Sequence, residues 1–135
     1  MAILGIDYGR KRIGLAICGA LKIATPLETL ERENTEKDFK KLKEIIEEHE
    51  IEKIVVGCPK NMDNSMGEMA KEAQSFSDIL KNRFSLPTVL WDERLTSAQA
   101  ERSMIEAGLS RNKRKKSSDS VAAALMLQSY SDRNG

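Results

Sequence analysis

The stretch Ala2-Ile-Leu-Gly5-Ile-Asp7-Tyr-Gly9-Arg-Lys-Arg12-Ile-Gly14-Leu-Ala-Ile-Cys18 decides how the rest of the chain is read. Residues 2–7 are apolar except for the closing carboxylate, and they read as a buried strand ending at Asp7. Gly9 and the basic Arg10-Lys11-Arg12 supply a turn, and residues 13–18 read as a second strand joined by a hairpin-length link. Strands joined in this way run antiparallel. Asp7 puts a charge beside glycine at the end of an otherwise buried strand. In an α/β sheet, ligands bind outside the carboxyl ends of the strands, so Asp7 is a candidate functional carboxylate.

Outward from this hairpin, residues 21–30 read as a third and more exposed strand, whose Pro26 suits an edge position. A helix is predicted over 35–49, with Thr35 as N-cap and Asp38 three residues on. Phe39, Leu42, Ile45 and Ile46 form its apolar stripe. Residues 53–58 form a short buried strand stopped by Pro59. Ser65 and Glu68 match a capping box ahead of a helix whose face runs through Met69, Ala73, Phe76 and Leu80. Another strand covers 87–92. Thr96 and Gln99 match a further capping box, and that helix ends at Gly108. After the basic stretch Arg111-Asn-Lys-Arg-Lys-Lys116, the last helix begins near Ser118. Its run Val121-Ala-Ala-Ala-Leu-Met-Leu127 predicts close packing on a sheet. The order β-β-β-α-β-α-β-α-α calls for three antiparallel strands followed by parallel ones connected through helices. One domain, 1–135, is expected.

At 135 residues and 15.1 kDa the chain can bury one core without disulfides or metals. Cys18 and Cys58 form neither a CxxC nor a zinc spacing, and each lies in an apolar stretch, so both read as core thiols. His49 is the single histidine, which argues against a histidine-based zinc hydrolase and a Ser-His-Asp triad. Chemistry is left to carboxylates, cations and hydroxyls. No apolar run is long enough to span a membrane. The start of the chain lacks the basic and apolar regions of a signal peptide, so a cytoplasmic protein is expected. Aromatic residues make up 4% of the chain, too few for a broad platform on which bases stack.

Charge is balanced in total, 22 Lys+Arg against 21 Asp+Glu, but it is not evenly distributed. Residues 28–53 carry ten acids and six bases, whereas residues 94–116 carry seven bases and two acids. Lys113, Arg114, Lys115 and Lys116 lie just before Asp119, where they are placed to hold a phosphate backbone; the alternative is a solvated loop. Asp7, Asp92, Glu93 and Asp119 lie at strand ends or in a first helical turn. Carboxylates converging there suit one or two Mg²⁺ ions, which clamp a phosphodiester undergoing displacement. Each also has a plainer reading: Asp119 as a helix-start acid, Asp92 and Glu93 as partners of Arg94, Asp7 as a turn former. The glycines around Asp7 resemble the first phosphate loop of the actin-like and sugar-kinase ATPases. Those proteins pair two such domains, and this chain supplies one copy and no GxxxxGK[ST] loop, so a self-contained ATPase is disfavoured.

Five blocks then occur in order: Gly5-Ile-Asp-Tyr-Gly9-Arg-Lys-Arg-Ile-Gly14-Leu-Ala16; Val56-Gly-Cys-Pro-Lys-Asn-Met-Asp63; Asp92-Glu-Arg-Leu-Thr96; Glu106-Ala-Gly-Leu109; and Lys115-Lys-Ser-Ser-Asp119-Ser-Val-Ala-Ala123 with Leu127-Gln-Ser-Tyr130. Together they closely resemble the YqgF/RuvX family of RuvC-like, RNase H-fold nucleases across nearly the whole chain. The resemblance implies an α/β fold with a five-stranded mixed sheet of order 3-2-1-4-5 flanked by helices. It implies phosphodiester hydrolysis with Mg²⁺ or Mn²⁺, either at the 5′ end of pre-16S rRNA or, as an alternative, at Holliday junctions. The partner would be structured RNA or branched DNA, with the protein a monomer or homodimer and no membrane involved. A catalytically weak RNA-binding assembly factor is a further alternative. Carried across, Asp7, Glu93 (or its neighbour Asp92) and Asp119 are the metal-binding and catalytic carboxylates. Arg12, Asn61 and Arg94 fall in matching motifs as contacts to the nucleic-acid backbone. Strand alternation puts Asp92 and Glu93 on opposite faces, and the longer Glu93 is preferred for reach. Asn64, Cys58 and Ser118 depart from the residues usual in the family, and none of these changes removes a candidate ligand.

Overall fold

The apolar opening of the chain forms strand β1 (Ala2–Asp7) at the centre of the sheet. The computed structural model describes residues 2–58, 67–92 and 118–134. β2 (Arg12–Cys18) and β3 (Ala24–Glu31) follow in antiparallel pairing, and β4 (Ile51–Cys58) and β5 (Thr88–Asp92) add parallel strands on the other side. The sheet order is β3-β2-β1-β4-β5, as the resemblance implied. Pro26 sits in β3, on the edge, where its missing N–H removes no bond from the sheet interior.

Alternation along β1 assigns its residues to two layers. Leu4 and Ile6 face α1 (Thr35–Glu48) and α2 (Glu68–Phe84), and pack with Ile13, Leu15, Leu42, Ile54, Val56, Phe76 and Leu80. Gly5 faces α3 (Ser118–Asn134), whose Ala123, Ala124, Leu127 and Tyr130 pack on Ala16, Cys18 and Val55. The small residues of α3 let it lie flat over β2, reaching β1 and β3. The approach is tight enough that a Cβ at Gly5 would stand 2.9 Å from the Leu127 Cβ. Cys18 and Cys58 are buried free thiols, and burial raises the Cys18 pKa.

Three local expectations are corrected. β3 starts at Ala24 and not at 21, because Lys22 takes a positive φ of 61° in a turn that breaks the strand. Asn34, not Thr35, caps α1: its side chain accepts the Lys37 N–H at 3.0 Å, and asparagine is the stronger capping residue. Asp38 instead accepts the N–H of Glu33, outside the helix, at 3.0 Å. α2 is capped by Gly67 with no side-chain bond, so Glu68 is its first residue and cannot act as the third residue of a capping box. Ser65 and the helix expected between Thr96 and Gly108 lie outside the described residues.

Candidate active site

β1 ends at Asp7, which pairs with Gly14 of β2 on one side and Gly57 of β4 on the other. Neither neighbour has a side chain, so the half-buried Asp7 carboxyl stands between two bare stretches of backbone on the α3 side of the sheet. One strand further along the same row is Trp91, which packs edge-on against Tyr130 at 5.3 Å. Val89 and Trp91 belong to the α3 layer and Leu90 to the opposite one. Alternation therefore assigns Asp92 to the α1/α2 face, away from Asp7.

The start of α3 is brought to this corner by a glycine. The Asp119 carbonyl lies so close to Gly14 that a Cβ built there would collide with it, and any side chain would push the helix off β2. Asp119 stands in the first turn of α3, where the helix dipole favours a carboxylate. Its Oδ2 is 3.3 Å from Nε of Arg12, two residues before Gly14 on the same face of β2. Both groups remain accessible, with side-chain exposures of 56% for Arg12 and 37% for Asp119. Asp7, Arg12, Gly14 and Asp119 thus form one corner at the carboxyl end of β1.

The backbone just after Asp7 is held from the other side. Arg10 donates to Glu72 of α2 from Nε at 3.0 Å and from Nη2 at 2.6 Å, and Tyr8 donates its hydroxyl to the same carboxylate at 3.2 Å. Arg32 donates to the Tyr8 hydroxyl at 3.1 Å and to the Gly9 carbonyl at 3.2 Å, and pairs with the buried Asp38. Arg10 holds the Glu72 carboxyl below the usual carboxylate range, and Glu72 in turn raises the Arg10 pKa. Sequence reading missed Glu72 and Arg32. The residues of the Arg10–Glu72 pair are 62 positions apart, and nothing local in the sequence links them.

Of the residues singled out in the sequence, the structure pairs Arg12 with Asp119, and Gly14 links that pair to Asp7 at the end of β1. Glu93, Asn61, Arg94, Lys113, Arg114, Lys115 and Lys116 lie outside the described residues. Among the described residues no group of three His, Cys, Asp or Glu side chains converges into a complete metal site. What is present fits a hard divalent cation in kind: two carboxylates, oxygen donors only, beside glycine-lined space.

Comparison with known proteins agrees with this architecture. Residues 1–133 match the family model described as "RuvX: Holliday junction resolvase". Similar curated proteins include a candidate pre-16S rRNA nuclease of Listeria innocua, 46% identical over 98% of each chain. Another of the same name, from Clostridium acetobutylicum, is 46% identical over 96% of this chain and 97% of its own. Among solved structures, Thermus thermophilus RuvC with a Holliday junction substrate superposes with a TM-score of 0.64 at 18% identity, covering 99% of this chain and 96% of that one. Fowlpox virus resolvase with Holliday junction DNA gives 0.60 at 12% identity, covering 98% of each. At these identities the two solved structures establish a shared RuvC-like, RNase H-type fold.

Proposed function

The chain belongs to the RuvX family of nucleases and is a hydrolase of phosphodiester bonds; from that premise we propose that it processes the 5′ end of pre-16S rRNA with a divalent metal, Mg²⁺ or Mn²⁺. The observation that carries the site is the pairing of Asp7 with two glycines beneath the first turn of α3, which brings a second carboxylate, Asp119, to the same corner. Glu93 is the third ligand in this reading. Trp91 faces α3, and the two-residue period of the strand turns Asp92 to the opposite face, which leaves the neighbouring Glu93 as the choice.

Asp7, Asp119 and Glu93 would hold the cation, which when bound supplies Lewis-acid polarisation of the phosphodiester. Arg12, Asn61 and Arg94 orient the backbone at the scissile bond. Lys113, Arg114, Lys115 and Lys116 hold the flanking phosphates without reading bases. The substrate is a structured RNA, met in the cytoplasm; no described helix is long and apolar enough to cross a membrane.

Holliday junction resolution is the second reading, favoured by the description of the matching family. The names of relatives at 46% identity favour RNA. The two are separated by offering precursor rRNA and a four-way DNA junction at matched salt and Mg²⁺. Faster cleavage of the rRNA leader is expected, and preferential resolution of the junction would reverse the assignment. Tight RNA binding with no metal-dependent cleavage of either substrate would point to an assembly factor instead.

A further inference from the structure

The basic turn after Asp7 uses its two arginines differently. Arg10 is fixed to Glu72 by two-point donation, with Glu68 nearby at 3.7 Å, on the α1/α2 side. Arg12 reaches Asp119 through Nε alone, with more than half of its side chain exposed. The first pair belongs to the scaffold. The second joins an exposed cation to a carboxylate that the proposed function assigns to the metal. A guanidinium beside one carboxylate oxygen offsets the negative charge that a divalent cation would draw on, so Arg12 and the cation compete electrostatically for Asp119.

We propose that Arg12 is a removable counter-charge: it occupies Asp119 in the metal-free protein and is released to a substrate phosphate when the cation binds. The inference rests on the metal-site reading and adds a regulation to it. Competition for Asp119 lowers metal affinity in the absence of nucleic acid. A phosphate that draws Arg12 away removes the competitor, and by linkage the metal then favours nucleic acid to the same degree. Loading of the site is thereby coupled to the presence of substrate. The geometry suits the exchange, since Arg12 and Asp119 reach each other from neighbouring elements held together at Gly14 and no strand has to move.

The test is Mn²⁺ binding to the nucleic-acid-free protein, measured by the loss of the free-ion EPR signal. Exposed ion pairs contribute little, so Arg12→Ala should bind Mn²⁺ only about 1.5- to 5-fold more tightly than wild type. Lys11→Ala is the control. It removes an equal charge from the same turn, and Lys11 is exposed. Tightening in Arg12→Ala beyond that in Lys11→Ala supports the exchange. Equal tightening in both would reduce it to a general field effect and overturn it, as would unchanged or weaker binding in Arg12→Ala. Arg12→Gln serves in the same way if the alanine variant fails a circular-dichroism check of folding.

A second readout uses RNA binding in EDTA. Asp119→Asn should tighten it, and most of that gain should vanish when Arg12→Ala is also present, because the gain comes from the freed guanidinium. Additive effects of the two substitutions would overturn the coupling. Asp119→Asn also separates the metal site from the exchange built on it. If it weakens Mn²⁺ binding while Arg12→Ala does not tighten it, the exchange fails and the metal site stands. If Asp119→Asn leaves Mn²⁺ affinity unchanged, the metal-site reading fails, and the exchange with it.

Discussion

Asp7 and Glu93 are the positions where one atom's change should be felt in chemistry and not in folding. Asp7→Asn keeps the shape of the side chain and removes the charge that a hard cation requires. It should lower Mg²⁺-dependent cleavage by roughly a hundredfold or more, about 3 kcal/mol of transition-state stabilisation, with an unchanged circular-dichroism spectrum. A folded variant that cuts at the wild-type rate would remove Asp7 from the site. Glu93→Gln should damage cleavage more than Asp92→Asn, since Asp92 belongs to the α1/α2 face. The opposite ranking would assign the ligand to Asp92. Both carboxylates are plain in the sequence, and alternation alone orders them. That Asp119 has an arginine partner was not legible, because Arg12 and Asp119 meet only after β2 and α3 have packed.

The elements are held in place by a few close approaches. Gly14 is the point at which α3 rests on β2, so Gly14→Ala must move either the helix or the strand. Overpacking of this kind costs about 1–3 kcal/mol, and here it should also displace Asp119, so urea stability and cleavage should fall together. A variant with normal values of both would mean that the helix start yields freely. Further along the same helix, Gln128 accepts the Ala24 N–H at 2.8 Å and donates to the Lys22 carbonyl at 3.1 Å, tying the start of edge strand β3 to α3. Gln128→Leu keeps the packing but leaves that buried N–H without its acceptor, a loss of about 1–3 kcal/mol in urea unfolding. The Arg10–Glu72 link should be visible through pH. Arg10 depresses the Glu72 pKa in the folded chain, so its stabilisation is present above the ordinary carboxylate pKa and is lost as pH falls through the lowered value. The melting temperature of Glu72→Gln should therefore lie below wild type near pH 7, and the gap should close in the acid range. A gap that does not change with pH would show that the ion pair contributes nothing.

Over the whole chain the charges are unevenly sorted, and in the proposed function the basic stretch lets a nearly neutral protein hold a polyanion. Replacing Lys113, Arg114, Lys115 and Lys116 with alanine should weaken RNA binding and flatten its salt dependence. Every cation withdrawn from a phosphate lowers the slope of log K against log salt by roughly 0.7–0.9. The total should fall short of four such decrements, since neighbouring cations rarely all touch phosphate at once, and it should be similar across sequences of one shape. An unchanged slope with unchanged affinity, measured by filter binding over a salt series, would mean that the substrate enters elsewhere.

The sequence by itself determined the strands and the carboxylate at the end of β1, through local periodicity; their order in the sheet came from the family resemblance that the five blocks of residues carry. It also determined that Cys18 and Cys58 are core thiols, because their surroundings are apolar on both sides. The caps at Asn34 and Gly67 and the start of β3 at Ala24 were misjudged by one to three positions, since competing polar residues near an element's end differ little in energy until the element is packed. Only the tertiary structure decided which side chains meet between distant elements: Arg12 with Asp119, Arg10 and Tyr8 with Glu72, Arg32 with Tyr8, and Gln128 with the edge strand. Sequence patterns repeat every two or 3.6 residues and carry no information about a partner dozens of positions away. That choice is made when the hydrophobic faces of β2, α2 and α3 close on the sheet and bring each charged group within reach of its partner.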